Sequence, residues 1–315
     1  METLTPFLVY KGRYHVPAEF TTKEFIEEFE DMEVRHDDIF IATYPKSGTH
    51  WMQEIVHLIL ADGHSEKLDV THRRLVAELA DVKSPEMTAT VGPTLRNFKD
   101  SPSPRVITTH LPCELLPKQS REKKNKVIYV LRHPKDVFVS YYNFVLQYSQ
   151  MIRGKPIPHT QEMFDAFFDD LIGGRAYTCL VVFKAEYGDW FDNVIGYYEH
   201  RQDVNFLFVH FESMKSDLEK VVREVSSFIG RELDNTAVKR VVESASIEVM
   251  RASFQKDHEQ NLTEGKEAVD LNIFVKSGTL NQWKYSFSSE QNERFDNFYR
   301  EKMMNCDLTT RYVVS

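Results

Sequence analysis

The stretch Thr43–Trp51, which reads Thr-Tyr-Pro-Lys-Ser-Gly-Thr-His-Trp, constrains the fold of this chain more than any other part of its sequence. The apolar run Ile39–Ala42 precedes it, and apolar residues with helical spacing follow between Trp51 and Leu60. This pattern predicts a strand, a tight turn and a helix. Gly48 lets the backbone approach a ligand, and the first amides of a helix have no internal partners. With Lys46 and the positive end of the helix dipole, the turn is an anion site suited to phosphate or sulfate.

The overall composition limits the partners that this chain can have. Its 315 residues can bury one large core or two small ones. A net charge of −9 argues against nucleic acid, which needs an extended basic face, but leaves room for a small anion. The three cysteines are widely spaced and odd in number, so they predict neither a disulfide framework nor a metal site, and they fit a reducing compartment.

The sequence also shows no pattern of a signal peptide at its N-terminus, and no apolar run approaches the roughly 20 residues that span a bilayer. We therefore expect a cytoplasmic protein without a membrane partner.

Strand-like runs alternate with helical patterns along the chain, which predicts an α/β fold. We expect a single domain over residues 1–315, with a central, largely parallel sheet flanked by helices. The predicted strands are Ile39–Thr43, Arg105–Thr109, Lys126–Leu131 and Val204–Val209. The predicted helices include Glu24–Glu30, Trp51–Leu60, Val137–Leu146, Lys215–Ile229 and Glu290–Lys302.

Three residues with suitable chemistry follow the ends of three different predicted strands: Lys46, His110 and Arg132. In open α/β sheets ligands bind beyond the carboxyl ends of the strands, so these residues predict one site at that edge. A neutral imidazole can remove a proton from a hydroxyl near neutral pH. The planar fork of Arg132, with Ser140 about two helical turns further on, suits a phosphate monoester. Alternatively, Arg132 pairs with Asp136 and Ser140 caps a turn.

These segments resemble the cytosolic sulfotransferases, whose phosphosulfate-binding loop reads Tyr-Pro-Lys-Ser-Gly-Thr-Thr-Trp. The family segment Arg-x-x-Lys-Asp-x-x-x-Ser-Tyr-Tyr matches the residues from Arg132 to Tyr142, and Thr-His-Leu-Pro matches the residues around His110. The resemblance extends from about Phe7 to Arg311. It implies a P-loop-like strand-loop-helix and transfer of a sulfuryl group from 3′-phosphoadenosine 5′-phosphosulfate to a hydroxyl or amine. The product would be adenosine 3′,5′-bisphosphate, and no metal is implied.

The resemblance also implies roles for individual residues. His110 would be the general base, and Lys46 would stabilise charge on the leaving phosphate oxygen. The implied acceptor is small and largely apolar, such as a phenol, steroid or alcohol. The aromatic side chains of Phe20, Phe144 and Tyr148 suit the lining of its pocket, or alternatively they belong to the core. The residues that would bind the donor are Lys46, Ser47, Gly48, Thr49, His50, Trp51, Arg132, Ser140, Phe211, Lys276, Ser277 and Gly278.

Several positions depart from the family pattern. Thr108 stands where many members have Lys, two residues before the histidine. Lys276-Ser277-Gly278 replaces Arg-Lys-Gly, which weakens the grip on the 3′-phosphate, and Phe211 replaces a tyrosine. The family's dimer segment corresponds to Lys284–Glu293, where Ser289 replaces an apolar valine, so a homodimer is possible but less favoured. The region Gly173–Ala185 is longer than in most relatives.

Other functions remain compatible with parts of the pattern. A nucleotide kinase needs a triphosphate loop in which Lys follows the second Gly, whereas Lys46 precedes Gly48. A catalytically silent relative that binds nucleotide as a sensor or partner protein would explain the altered C-terminal motif, although Lys46 and His110 are retained. A membrane-bound sulfotransferase that acts on carbohydrate or protein would normally carry an anchor.

Overall fold

The computed structural model describes residues 7–18, 21–68, 76–79, 101–153, 158–173, 187, 189–263 and 278–308. Three predicted site residues, Phe20, Lys276 and Ser277, lie outside these ranges. Of Tyr148, the structure describes the backbone but not the side chain. Of the longer region Gly173–Ala185, only Gly173 is among the described residues.

A four-stranded parallel sheet forms the centre of the fold, with the strand order β4-β3-β5-β6. A separate antiparallel pair, β1–β2, precedes it and was not predicted from the sequence. The strands are β1 (Phe7–Tyr10), β2 (Tyr14–Pro17), β3 (Ile39–Thr43), β4 (Val106–Thr109), β5 (Lys126–Leu131) and β6 (Phe206–His210). The predicted α/β fold with a parallel sheet is therefore confirmed.

Helices surround the sheet. Among the described residues they are α1 (Lys23–Glu30), α2 (Thr49–Leu60), α3 (Lys118–Glu122), α4 (Pro134–Arg153), α5 (Gln161–Gly173), α6 (Trp190–Tyr198), α7 (Phe211–Ser216), α8 (Leu218–Phe228), α9 (Asn235–Ser244), α10 (Ile247–Thr263), α11 (Trp283–Ser286) and α12 (Ser289–Lys302). Short 3₁₀ turns occur at Ser65–Lys67, Ala77–Leu79 and Cys113–Leu115.

The sheet is buried on both faces. Side chains alternate along each strand, so Phe40 and Tyr129 belong to one apolar cluster while Ile41 and Ile128 belong to the other. Burial on both sides explains why β3 and β5 read as continuous apolar runs instead of alternating patterns. Each fully buried side chain of this size contributes about 1.5–3 kcal/mol, so the centre of the sheet is a rigid support for the loops at its edge.

The predicted helix Lys215–Ile229 is wrong in its extent, because two helices, α7 and α8, occupy this part of the chain. They meet at Asp217, whose backbone is extended at φ −151° and whose carboxylate accepts a hydrogen bond from the Lys220 amide at 3.1 Å. An aspartate in this position caps the N-terminus of the second helix.

Strand pairing brings the carboxyl ends of β3, β4 and β5 together. Ala42 pairs with Thr109 in β4, and Thr43 pairs with Val130 in β5. The residues that follow these strands therefore meet at one edge, at the point where the chain order reverses across β3. This edge carries the predicted site.

Candidate active site

The loop between β3 and α2 has the backbone conformation that its sequence predicts. Lys46 and Gly48 both have positive φ angles, 68° and 109°, and Gly48 is the residue that precedes the first turn of α2. Ser47, between them, is buried, and its amide closes a turn by donating to the carbonyl of Tyr44 at 3.2 Å. The first amides of α2 and the positive end of its dipole therefore face this loop, as anion binding requires.

Arg132 connects the end of β5 to the same loop. Its Nη1 donates a hydrogen bond to the carbonyl oxygen of Lys46 at 2.8 Å, and its guanidinium carbon lies 4.4 Å from the centre of the Phe211 ring. Burial lowers the pKa of Arg132 from its usual value, which makes a negatively charged partner more favourable there.

Phe211 lies at the centre of the predicted donor site. Its ring centre is 5.6 Å from that of Trp51, in an edge-on arrangement. Its ring also limits the space at Gly48, because a Cβ atom built there would lie 2.7 Å from the ring, and it lies within ordinary contact distance of Gly278, where a Cβ atom would be 3.7 Å away. Trp51 is held in turn by a hydrogen bond from its Nε1 to the carbonyl of Ala245 at 2.8 Å.

Two buried polar atoms in this region fit an anionic ligand. Within the part of the chain that the structure describes, Ser47 Oγ and Arg132 Nε have no hydrogen-bond partner. A buried donor without a partner costs about 1–3 kcal/mol, so such groups usually mark a place where a ligand completes the hydrogen bonds. A phosphate or sulfate group supplies the acceptor oxygens that both atoms need.

Asp136, which the sequence also offered as a partner of Arg132, joins the C-terminal motif to this site. Its carboxylate accepts hydrogen bonds from the backbone amides of Asn281 at 2.8 Å and Trp283 at 3.2 Å. Gly278, with a φ angle of 64°, lies close to α7, because a Cβ atom built on it would be 3.8 Å from Lys215 Nζ. The described part of the altered motif therefore lies beside α7 and Phe211, which is predicted to bind the donor.

His110 lies at the end of β4 with its imidazole directed back toward β3. Its Nδ1 is 2.8 Å from the carbonyl oxygen of Thr43 and 3.0 Å from the hydroxyl of the same residue. A carbonyl oxygen only accepts, so in the neutral ring Nδ1 carries the proton and Nε2 has the lone pair. Nε2 is therefore the atom that can remove a proton from a substrate.

Burial sets the charge of this imidazole. It lowers the pKa of His110 to about 4, opposed by the hydrogen bond to Thr43 and assisted by the positive charge of Lys46. His110 is consequently neutral at pH 7, as a general base must be. The aromatic ring of Tyr187 lies edge-on to it at 5.3 Å, and the Lys46 Nζ lies 4.5 Å from the centre of the Phe144 ring. Phe144, a predicted acceptor-pocket residue, thus borders the predicted catalytic lysine.

Thr108, at the position where many relatives carry lysine, takes part in a polar row. The Gln53 amide nitrogen donates to the Thr108 hydroxyl at 2.9 Å, and the Gln53 carbonyl oxygen is 2.8 Å from Nδ1 of His50. The row links the first turn of α2 to the strand that carries His110.

Thr49 and Ser140 are the remaining predicted donor residues, at the start of α2 and within α4. The hydroxyls of Thr49 and Thr43 are 2.7 Å apart, which ties the start of α2 to the residue that orients His110. Ser140 is buried within α4, on the helix that follows Arg132. Sequence reasoning missed Thr43, Glu78 and Asn193, which hold the His110 segment. Nothing in their residue types signals this role, since it depends on contacts between distant parts of the chain.

Comparisons with known proteins identify the family of this chain. The family model of the sulfotransferase domain matches residues 36–307. The chain is 34% identical over 290 residues to the amine sulfotransferase of Oryctolagus cuniculus, covering 90% of this chain and 87% of that protein. It is 35% identical over 309 residues to sulfotransferase 1A1 of Mus musculus, covering 97% of each.

A solved structure is similar over the same extent. The crystal structure of mouse sulfotransferase SULT7A1 complexed with PAP has a TM-score of 0.72 and 27% identity, and the match covers 97% of each chain. The chain described here belongs to the sulfotransferase family.

Two further findings concern partners. No helix in the described ranges is both long and apolar enough to cross a membrane. Across those same ranges, no group of three or more His, Cys, Asp or Glu side chains is arranged to hold a metal ion.

The segment Lys284–Glu293 is divided between α11 and α12. Ser288 begins α12 with a capping box, in which its hydroxyl accepts from the Gln291 amide and its own amide donates to the Gln291 side chain. Tyr285 is 92% exposed, so the segment presents an aromatic side chain to solvent. The homodimer stays a prediction.

Proposed function

We propose that this protein transfers a sulfuryl group from 3′-phosphoadenosine 5′-phosphosulfate to a hydroxyl or amine of a small, largely apolar acceptor. The observation that carries the proposal is the position of His110 next to the anion loop. The carbonyl oxygen of Thr43 accepts a hydrogen bond from Nδ1 of His110 at 2.8 Å. Thr43 is the last residue of β3 and leads directly into the loop that holds Lys46. A base and an anion site that share one strand end suit transfer of an anionic group to a deprotonated acceptor.

The donor is held by groups of three kinds. The loop from Lys46 to Thr49, with the N-terminus of α2, binds the 5′-phosphosulfate, and Arg132 with Ser140 binds the 3′-phosphate. Trp51 and Phe211 form the apolar surface against which adenine packs. The described Gly278 allows close backbone approach, while Lys276 and Ser277 are assigned to the 3′-phosphate from sequence.

His110 and Lys46 have different roles in the transfer reaction. Nε2 of His110 accepts the proton of the acceptor, and the acceptor oxygen or nitrogen bonds to sulfur. The bond between sulfur and the bridging phosphate oxygen breaks, and adenosine 3′,5′-bisphosphate leaves with the electron pair. Lys46 stabilises the charge that develops on that oxygen. Phe144 next to Lys46 and Tyr187 next to His110 limit water near the reacting groups, which favours acceptors with an apolar body.

The proposal is tested by turnover with radiolabelled donor against a panel of phenols, steroids, alcohols and amines. His110→Ala should lose turnover while its affinity for adenosine 3′,5′-bisphosphate stays within about twofold of wild type. The control is His64→Ala, because His64 lies on the surface and pairs with Glu66 at 2.9 Å. If the wild type binds the nucleotide but sulfates nothing in the panel, the silent nucleotide-binding relative becomes the better account.

A further inference from the structure

Glu78 is a fully buried carboxyl group that lies against the segment carrying His110. It belongs to the 3₁₀ turn Ala77–Leu79, and 0% of the residue is exposed. One carboxyl oxygen accepts the backbone N–H of His110 at 2.6 Å, and the other accepts the hydroxyl of Thr109 at 2.8 Å. Both oxygens therefore accept hydrogen bonds from the segment Thr109–His110, which carries the base.

The other polar groups around His110 complete this arrangement. The Leu111 amide donates to the Thr109 hydroxyl at 3.0 Å, so that hydroxyl gives its own proton to Glu78. On the opposite side, the Asn193 amide nitrogen donates to the His110 carbonyl at 3.2 Å. The backbone of His110 is thus held at both ends, and within the described part of the chain the only one of these two partners that can carry charge is Glu78.

The environment of Glu78 makes its charge sensitive to pH. Burial raises the pKa of Glu78 to about 7, against the hydrogen bonds from His110 and Thr109. Among the described residues, the other titratable groups that act on this pair are Lys46, whose charge disfavours protonation of His110, and Tyr197, whose pKa is raised mainly by burial and to a smaller extent by Glu78. Between pH 6 and 8 the carboxyl group therefore changes from mostly neutral to mostly ionised.

We propose that Glu78 is a positioning residue that also provides the buried counter-charge for His110. Its carboxylate holds the His110 peptide and stabilises the imidazolium that forms when Nε2 takes the acceptor's proton. Glu78 exchanges no atom with the substrate, since the proton stays on His110 until it is released to solvent. The inference rests on the proposed function and adds Glu78 as a residue that affects the reaction through His110.

The size of the effect follows from the geometry. The accepting oxygen lies 2.6 Å from the His110 nitrogen, and bond lengths within one residue keep the ring within about 7 Å of that oxygen. At an effective dielectric constant of about 20, the attraction between the two charges corresponds to a rate effect of roughly ten- to a hundredfold. A base whose pKa is held near 4 by burial gains from such a neighbour, because general bases work best when their pKa is near the working pH.

Glu78→Gln tests the inference, because it keeps the shape and the acceptor for the His110 amide but removes the charge. We expect kcat at pH 8 to fall by roughly ten- to a hundredfold, with the Kd for adenosine 3′,5′-bisphosphate within about twofold of wild type. The wild type should show an acid limb in kcat near pH 7, and the variant should be flat between pH 6 and 8. Equal turnover at pH 8, or an unchanged acid limb, would overturn the inference.

A second readout does not depend on turnover. In protein labelled with ¹⁵N-histidine, the His110 backbone amide should titrate with a midpoint near pH 7, because its hydrogen bond ends on Glu78, and the titration should vanish in Glu78→Gln. An active wild type without this titration would refute the role of Glu78 alone. A titrating amide in a protein that sulfates no acceptor would refute the proposed function instead.

Thr109→Val provides a variant with a smaller change if Glu78→Gln does not fold. It removes one hydrogen bond that favours the ionised carboxyl group, so the midpoint of the acid limb should move to higher pH. A limb that stays in place, or moves to lower pH, would contradict the assignment to Glu78.

Discussion

Replacement of Gly48 by Ala tests whether the loop and the Phe211 ring form one donor site. Gly48 has a φ angle of 109°, and a Cβ atom there would lie 2.7 Å and 3.3 Å from two carbons of Phe211. The ring cannot move without cost, because it packs against Trp51 and against the Arg132 guanidinium at 4.4 Å. The substitution therefore strains the backbone and displaces the aromatic centre of the site.

The free-energy cost of the substitution has two parts, the backbone strain and the displacement of the Phe211 ring. An alanine in a left-handed conformation costs about 1–3 kcal/mol. Displacement of Phe211 from Arg132 removes a buried cation–π contact worth about 1–2 kcal/mol. The second term acts on the ligand site, so the Kd for adenosine 3′,5′-bisphosphate should rise by about five- to thirtyfold.

Gly230→Ala is the matched control. Gly230 follows α8 with a φ angle of 73°, but a Cβ atom there meets nothing within 4 Å. It should lose stability through backbone strain alone and bind nucleotide as the wild type does. Urea unfolding and calorimetry on both variants separate the two terms. If the Kd values of Gly48→Ala and Gly230→Ala agree within twofold, Phe211 does not form part of the donor site.

Three further predictions follow from the same geometry. His110→Ala should lower kcat by about 10²–10⁴-fold, the usual contribution of a general base, while His64→Ala retains wild-type rates. Lys276→Arg should tighten nucleotide binding in calorimetry, because it restores a planar fork for the 3′-phosphate; unchanged or weaker binding would argue against that assignment. Burial lowers the pKa values of His110 and His133 to about 4 and about 3, so each stabilises the fold above about pH 6.5 and loses this effect as the pH falls toward 4. His133→Gln should accordingly lose less stability than the wild type between pH 7 and pH 5 in urea unfolding, and an equal loss would show that His133 is not the cause.

Much of the central fold could be predicted because its signals are local. The strands Ile39–Thr43 and Lys126–Leu131 have the predicted bounds, since runs rich in isoleucine and valine bounded by polar residues have few other stable conformations. The loop at Lys46 was also predictable, because a glycine at positive φ before a helix leaves a specific pattern in the sequence. The edge of the sheet that carries the candidate site followed from the rule that ligands bind beyond the carboxyl ends of parallel strands.

What the sequence did not predict depends on contacts between distant residues. Asp136 could be assigned to Arg132 by proximity in sequence, yet it accepts amides from Asn281 and Trp283. Glu78 has the residue type of a surface position, and only the fold shows that it is buried against His110. Asp217 carried a usable signal as a helix cap, which the amphipathic pattern on either side concealed.

Several predictions keep that status. The acceptor, the homodimer through Lys284–Glu293, the cytoplasmic location and the extent of a single domain over residues 1–315 all await experiment. So do the roles of all the predicted site residues, including Phe20, Tyr148, Lys276 and Ser277, which lie at least partly outside the described structure.

Calorimetric titration of the purified protein with adenosine 3′,5′-bisphosphate tests whether these residues form a donor site. The buried Ser47 and Arg132, the positive-φ glycine and the aromatic pair all point to one nucleotide site. We expect a single site per chain with a micromolar or lower Kd. The absence of binding at millimolar nucleotide would contradict it and would mean that the altered C-terminal motif has disabled the donor site.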